Sequence, residues 1–201
     1  LFSEDRRFLR FVIVRTDSLN VAFGGTTGAP ISAKFKDLPL YLENGEPNNS
    51  LVAAYAALHV ETVNIADAYS AEGFDFSGTK KFDQATGYRS RSFLTVPMKD
   101  HENEVIGVLQ LLNAINPQSG EPTVFSDADQ RLAESLASQA AVALNNRLLV
   151  TQLEALFEAF IKLINTAIDE KSPYTGGHCQ RVPILAMLLA EALNADQEGP
   201  L

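Results

Sequence analysis

From Ser126 the hydrophobic pattern of this chain takes on a helical period and holds it as far as Ala167. Positions 132, 136, 139, 143, 146, 150, 153, 157, 160, 164 and 167 alternate four and three apart, and only Gln139 and Asn146 among them are polar. Such a heptad seam requires a continuous α-helix and outlasts an ordinary globular helix. Ser126 supplies a cap, and Asp127 and Asp129 put negative charge in the first turn, where the helix dipole favours it. Leu153, Phe157, Phe160 and Ile164 would lie open to water on a lone helix, so we expect a homodimer through helix 126–170. Ser172-Pro173 should end this helix, because the residue before proline is pushed out of helical geometry. A second amphipathic helix is expected over about 178–194, after the flexible Gly176-Gly177.

Everything before Ser126 reads differently. A strand is predicted over 8–15, preceded by the remains of an earlier one, and loop over 24–30. Asn48-Asn49-Ser50 offers N-cap oxygens to a short helix over 51–59, and a brief strand follows at 62–65, with Asp67 capping the next turn. The glycine-punctuated stretch 73–87 is expected to be irregular, long enough for a lid or binding loop. Two strands, 90–98 and 104–113, are apolar on both faces, as central strands are, and Gly107 signals a bulge or the close approach of another group.

Composition narrows the function. With net charge −9 the chain is a poor nucleic-acid binder; its one basic cluster, Lys80, Lys81, Arg89 and Arg91, reads as solvated surface or as a pocket for an anionic small ligand. The longest apolar run, Ile184 to Ala190, is far too short to cross a bilayer. A single cysteine excludes an internal disulfide framework and suits a reducing cytoplasm.

Two segments carry a family resemblance. Residues 60–150 resemble the second half of a GAF domain, through Asn64-Ile65-Ala66-Asp67-Ala68-Tyr69, the run from Phe82 to Met98, and Val105 to Asn113. The resemblance implies an α+β fold: a six-stranded antiparallel sheet with helices behind it and a small-molecule pocket in front. Asp67, Tyr69, Phe74, Phe82, Asp83 and Arg89 lie in or beside the loops that cover this pocket in the family. Residues 167–182 resemble the opening of an HD-GYP domain, a metal-dependent phosphohydrolase that typically hydrolyses cyclic di-GMP. His178 matches that family's first metal-ligand histidine, and the metal implied is iron or manganese, but the histidine-aspartate pair and the Gly-Tyr-Pro signature are absent. Tyr174 stands where some members place an extra carboxylate ligand, which points to two metals over three. This chain alone is therefore expected to be catalytically inactive.

The domain organisation implied is a GAF sensor over 1–148, a signalling helix over 149–171 and the start of an HD-GYP domain over 172–201. The ligand is not named by sequence. Asn113, Phe125 and Asp129 fit a motif of cyclic-nucleotide-binding GAF domains, yet Ala114 and Gln130 replace its lysine and glutamate, so its lysine–aspartate pair cannot form. With no cysteine in the GAF portion, thioether attachment of a bilin is excluded. Two function classes remain: a ligand-controlled sensor for the phosphodiesterase, and a ligand-free GAF scaffold that only dimerises and positions the output domains.

Overall fold

The computed structural model describes residues 1–171 and 178–195, and the side chains of these except 169–171 and 178–180. The elements run β1 (Phe8–Leu9), β2 (Ile13–Thr16), β3 (Val21–Gly24), β4 (Leu38–Pro39), α1 (Val52–His59), β5 (Val63–Ile65), α2 (Ser77–Thr86), β6 (Phe93–Lys99), β7 (Val105–Leu112), β8 (Ala114–Ile115), β9 (Pro122–Thr123), α3 (Asp127–Lys171) and α4 (His178–Ala195). They fall into two compact units, Leu1–Asn145 and Asn146–Leu201.

In the first unit the sheet β5-β6-β7 is antiparallel throughout, and β6 is its central strand. Its run of apolar residues on both faces makes this possible: every residue from Phe93 to Met98 is buried. On one face Leu94, Val96 and Met98 pack against Ala133, Ala137 and Ala141 of α3. Alanines four apart form a narrow stripe that lets the helix backbone approach the sheet closely. On the other face Phe93 joins Val52, Ile65, Ala68 and Phe76, while α1 buries Ala53, Ala54 and Ala57 with Leu9 and Leu40. Leu94 is fully buried, and truncating such a side chain to alanine costs about 2–5 kcal/mol.

The strand expected over 8–15 is two, because Arg10–Phe11–Val12 leaves the first ladder to pair a new partner: β1 joins β4, and β2 joins β3. The strands form one three-stranded sheet and three two-stranded pairs in place of a single six-stranded sheet. Among the described residues, only Phe2 makes a backbone bond on the outer edge of β7, to the Ile106 carbonyl at 3.1 Å. β7 is accordingly an edge strand, with Leu111 and Leu112 exposed, and not the central strand its composition implied. The N-cap oxygens of 48–50 do not cap α1: Asn48 donates to the Pro39 carbonyl and accepts from Ser50, and Leu51 occupies the cap without a side-chain bond. Stretch 73–87 contains α2, which ends at Gly87 with φ +70°.

Gly107 fulfils both readings. The register shifts between Met98 and Lys99, leaving Ile106 as the extra residue, and a Cβ on Gly107 would lie 2.8 Å from Leu1 Cδ2 and 2.9 Å from Leu1 Cα.

The cap on α3 forms as expected. Ser126 Oγ accepts from the Asp129 amide at 3.2 Å, and Asp129 Oδ2 accepts from the Ser126 amide at 2.9 Å and hydroxyl at 2.7 Å. Those bonds hold the Asp129 carboxyl below its usual range. α3 then runs unbroken for 45 residues, its heptad face open to water: Leu132, Leu136, Leu153, Phe157 and Phe160 are all more than half exposed. The stripe that packs on the sheet is thus the alanine one, and Leu136 is solvent-facing. In α4, Leu185, Leu189 and Leu193 are likewise exposed. His178 opens α4, but its side chain, the Ser172-Pro173 break, Tyr174 and Gly176-Gly177 lie outside the described residues.

Candidate functional site

Four of the six expected ligand residues converge, and they do so around one buried carboxylate. Asp83, on the inward face of α2, is only 3% exposed. It accepts three hydrogen bonds of 2.8 Å: from Tyr69 Oη, from the Ser90 amide and from Ser90 Oγ. Among the described residues no cation lies within salt-bridge reach of it, and a buried carboxylate is then stabilised by collecting such donors. The bond to Asp83 also holds the Tyr69 phenol above its usual range, since ionising it would place two negative charges together.

Asp67 works one step away. Its Oδ1 accepts from the Tyr69 amide at 2.9 Å, the turn cap expected from sequence, and its Oδ2 stands 3.7 Å from Arg91 Nε. Arg89 stacks on the Tyr69 ring at 4.5 Å from its centroid, and Lys80 attends the same ring at 5.4 Å. Each contact at such a half-exposed ring is worth about 0.5–1 kcal/mol. The basic cluster is therefore divided: Lys80 and Lys81 sit on α2, and Arg89 and Arg91 in the segment leading into β6.

Phe74 and Phe82 do not join this group. Phe74 packs on the Val52–Ile65–Phe93 cluster and meets Tyr55 edge-on at 5.4 Å. Phe82 turns the other way, 6.3 Å from Phe35, which also contacts Phe11 at 5.4 Å and Phe23 at 6.1 Å. Through Phe35, α2 and the β2–β3 hairpin share one aromatic cluster.

Sequence reasoning missed Ser90, whose burial depends on Gly87 turning the chain back under α2. It also missed what Asn113 does. With φ +56°, Asn113 accepts from the Arg91 amide at 2.7 Å and donates to the Arg89 carbonyl at 2.8 Å and to Tyr88 Oη at 2.9 Å. The signal was present, since Asn113 belongs to the nucleotide-binding motif. Here it clamps the segment that carries Arg89. The other motif residues are equally structural: Phe125 packs beside the Leu94 cluster, and Asp129 caps α3.

The site is wired to α3. Asn64, on β5, donates to the Phe125 carbonyl at 3.2 Å and to Gln130 Oε1 at 3.3 Å. At the far end of the packed stretch, Asn145 donates to Asp100 Oδ2 at 3.1 Å. A shallow apolar groove of about 570 Å³ lies elsewhere, between β8, β9 and the start of α3, and none of the six expected residues lines it. Of the polar residues on its walls, Ser126 and Asp129 are taken up by the α3 cap, leaving Asn116 and Thr123, whereas the Tyr69–Asp83–Arg89 group concentrates charge. The two remaining histidines are engaged locally: His59 Nε2 lies 2.8 Å from Asn49 Oδ1, and His101 3.9 Å from Glu102. Among the described residues no group of three His, Cys, Asp or Glu could hold a metal ion, and no helix is long and apolar enough to cross a membrane.

Comparison with known proteins agrees with the resemblance of residues 60–150 and extends it towards the N-terminus. The chain is 29% identical over 124 residues to dual 3',5'-cyclic-AMP and -GMP phosphodiesterase 11A of Takifugu rubripes, covering 60% of this chain and 13% of that protein. It is 35% identical over 95 residues to dual 3',5'-cyclic-AMP and -GMP phosphodiesterase 11 of Drosophila melanogaster, covering 47% of this chain and 6% of that one. The chain thus spans a small part of these relatives. Among solved structures, the GAF domain of the Acinetobacter phosphoenolpyruvate-protein phosphotransferase is similar at 19% identity and a TM-score of 0.39, covering 68% of this chain and 70% of that one. The family model for the GAF domain matches residues 8–144, so this chain belongs to the GAF domain family.

Proposed function

We propose that this GAF domain is the sensor of a bacterial signalling protein. A small molecule bound near Tyr69, Asp83 and Arg89 biases α3, and α3 controls a metal-dependent HD-GYP phosphodiesterase acting on cyclic di-GMP. The observation that carries this reading is the bonding of Asn64 to Phe125 and Gln130. It ties the strand that leads into the site to the first turn of a helix that runs on to Lys171. A rigid helix held at its start and again at Asn145 can pass on a small shift, because packed elements move between discrete arrangements.

Dimerisation through the exposed heptad face of α3 completes the proposal, with Asn146 on the seam fixing register. That relatives named as phosphodiesterases are far longer than the matched segment supports a regulatory module attached to an enzyme. The iron or manganese centre of the output domain would take His178 as one ligand. The described residues supply no cluster to complete it, so no hydrolytic step is assigned to this chain.

A second reading, the ligand-free scaffold, draws on the fact that Asp67, Tyr69 and Asp83 are already bonded to one another or to their neighbours. Native mass spectrometry of the purified chain separates the two. A small molecule retained in the folded ions and lost on acid denaturation supports the sensor; bare protein, with no thermal shift across a metabolite panel, supports the scaffold.

A further inference from the structure

Arg89 and Lys80 both attend the Tyr69 ring, and among the described residues neither is in a salt bridge. Tyr88, Ser90 and Arg91, on either side of Arg89, are each tied down, the first and last by Asn113 and Ser90 by Asp83; Asn113 also grips the Arg89 carbonyl itself. The Arg89 guanidinium meanwhile only rests on Tyr69. Lys80, one turn before Asp83 on α2, reaches the same ring. Among the described residues, neither cation has a carboxylate within 4 Å or a side-chain hydrogen bond, in contrast to Arg91, which stands beside Asp67. The nearby acids are occupied: Asp83 is buried under three neutral donors, and Asp75 accepts from the Ser77 amide at 2.8 Å. Two unpaired cations attending one ring stand within about 10 Å of each other, roughly a Debye length at physiological salt. The backbone beneath Arg89 is fixed by Asn113, so an anion arriving there has chiefly the two side chains left to order.

We propose that Arg89 and Lys80 form an anion site at the Tyr69 ring, and that the ligand sensed by this domain is a small multivalent oxyanion, a phosphate ester or a polycarboxylate. The guanidinium presents its fork to one oxyanion group, and the ammonium supplies a point charge to another. This rests on the sensor reading and names its ligand class.

The test is isothermal titration calorimetry of the 201-residue chain with sodium pyrophosphate and, separately, with citrate, at low and high salt. Saturable binding of either probe, weakened by salt, is expected; the probe that binds tells phosphate from carboxylate chemistry. Arg89→Gln and Lys80→Gln should each weaken it roughly tenfold or more, the loss expected for one charge-assisted hydrogen bond. Arg89→Lys should fall between, and Arg15→Gln, at an exposed arginine paired with Asp17, should leave affinity unchanged. Melting temperatures near wild type show that the variants fold. No saturable binding of either anion, or equal weakening by Arg15→Gln, overturns the anion site. A neutral ligand retained by the chain and indifferent to Arg89→Gln would end the anion proposal while leaving the sensor standing.

Discussion

Replacing Asp83 with alanine removes the acceptor for three bonds at once. Ser90 is 1% exposed, so its amide and hydroxyl would lose their partner where water cannot substitute. A buried donor left unsatisfied costs about 1–3 kcal/mol, and bonds to a charged acceptor are the stronger kind. Tyr69 is 36% exposed and its hydroxyl can turn to water, so the third bond adds little. Removal of a buried charge without a cationic partner returns part of the loss, because its desolvation is relieved. The balance is a destabilisation of about 2–4 kcal/mol, a large fraction of the 5–15 kcal/mol typical of a domain. Urea unfolding followed by circular dichroism should show a lower midpoint with an unchanged slope. The double variant Asp83→Ala/Ser90→Ala should lose clearly less than the two single losses added together, since the bonds are shared. An Asp83→Ala variant within about 0.5 kcal/mol of wild type would refute the view that this carboxylate fastens α2 to the β6 approach.

Gly24 has φ +73° and a Cβ there would run into the Val12 carbonyl oxygen, whereas Gly28, at φ +69°, has open space. Gly28→Ala should cost about 1 kcal/mol of backbone strain and Gly24→Ala clearly more, as read from denaturant midpoints. Leu153→Asp with Phe160→Asp should convert a dimer to monomer in sedimentation, because both side chains are well over half exposed on the seam; an unchanged sedimentation coefficient places the contact elsewhere. Asp129 has its pKa lowered by its bonds to Ser126, so its contribution is present above the ordinary carboxylate range and is lost as pH falls through the depressed folded value. Asp129→Ala should therefore flatten the acid limb of a stability profile and leave its slope near neutrality unaltered.

What was legible in the sequence was whatever depended on a local repeat. β6 announced itself by apolar residues on both faces, and α3 by its cap and heptads. Gly107 is the clearest case, since an extra residue and a close neighbour both leave the same single-residue mark. α2 stayed hidden because Gly78, Thr79 and Thr86 are poor helix formers; Phe76, at its start, and Asp83 pin it from outside, a tertiary cause that overrides propensity. The alanine stripe of α3 was masked by the louder leucines one position away, although alanine is what close packing on a sheet needs. At the site, residue types could be picked out, but not their pairing. That Asp83 should meet Tyr69 and Ser90 follows from Gly87 reversing the chain, and that Asn113 should clamp residues 88–91 follows from its left-handed backbone.

Transmission of the state of the GAF site along α3 can be measured without knowing the ligand. Hydrolysis of cyclic di-GMP would be compared in a protein that carries this chain joined to the proposed HD-GYP domain, with nothing, two glycines or a seven-residue heptad inserted after Leu149, each with and without Asp83→Ala as the perturbation at the site. Below the melting temperature of the variant, Asp83→Ala should change the rate several-fold in the uninterrupted and heptad-extended forms, since a heptad preserves the phase of the seam. It should leave the rate unchanged in the two-glycine form. The same response in all three forms, or none in any, would contradict transmission through the helix.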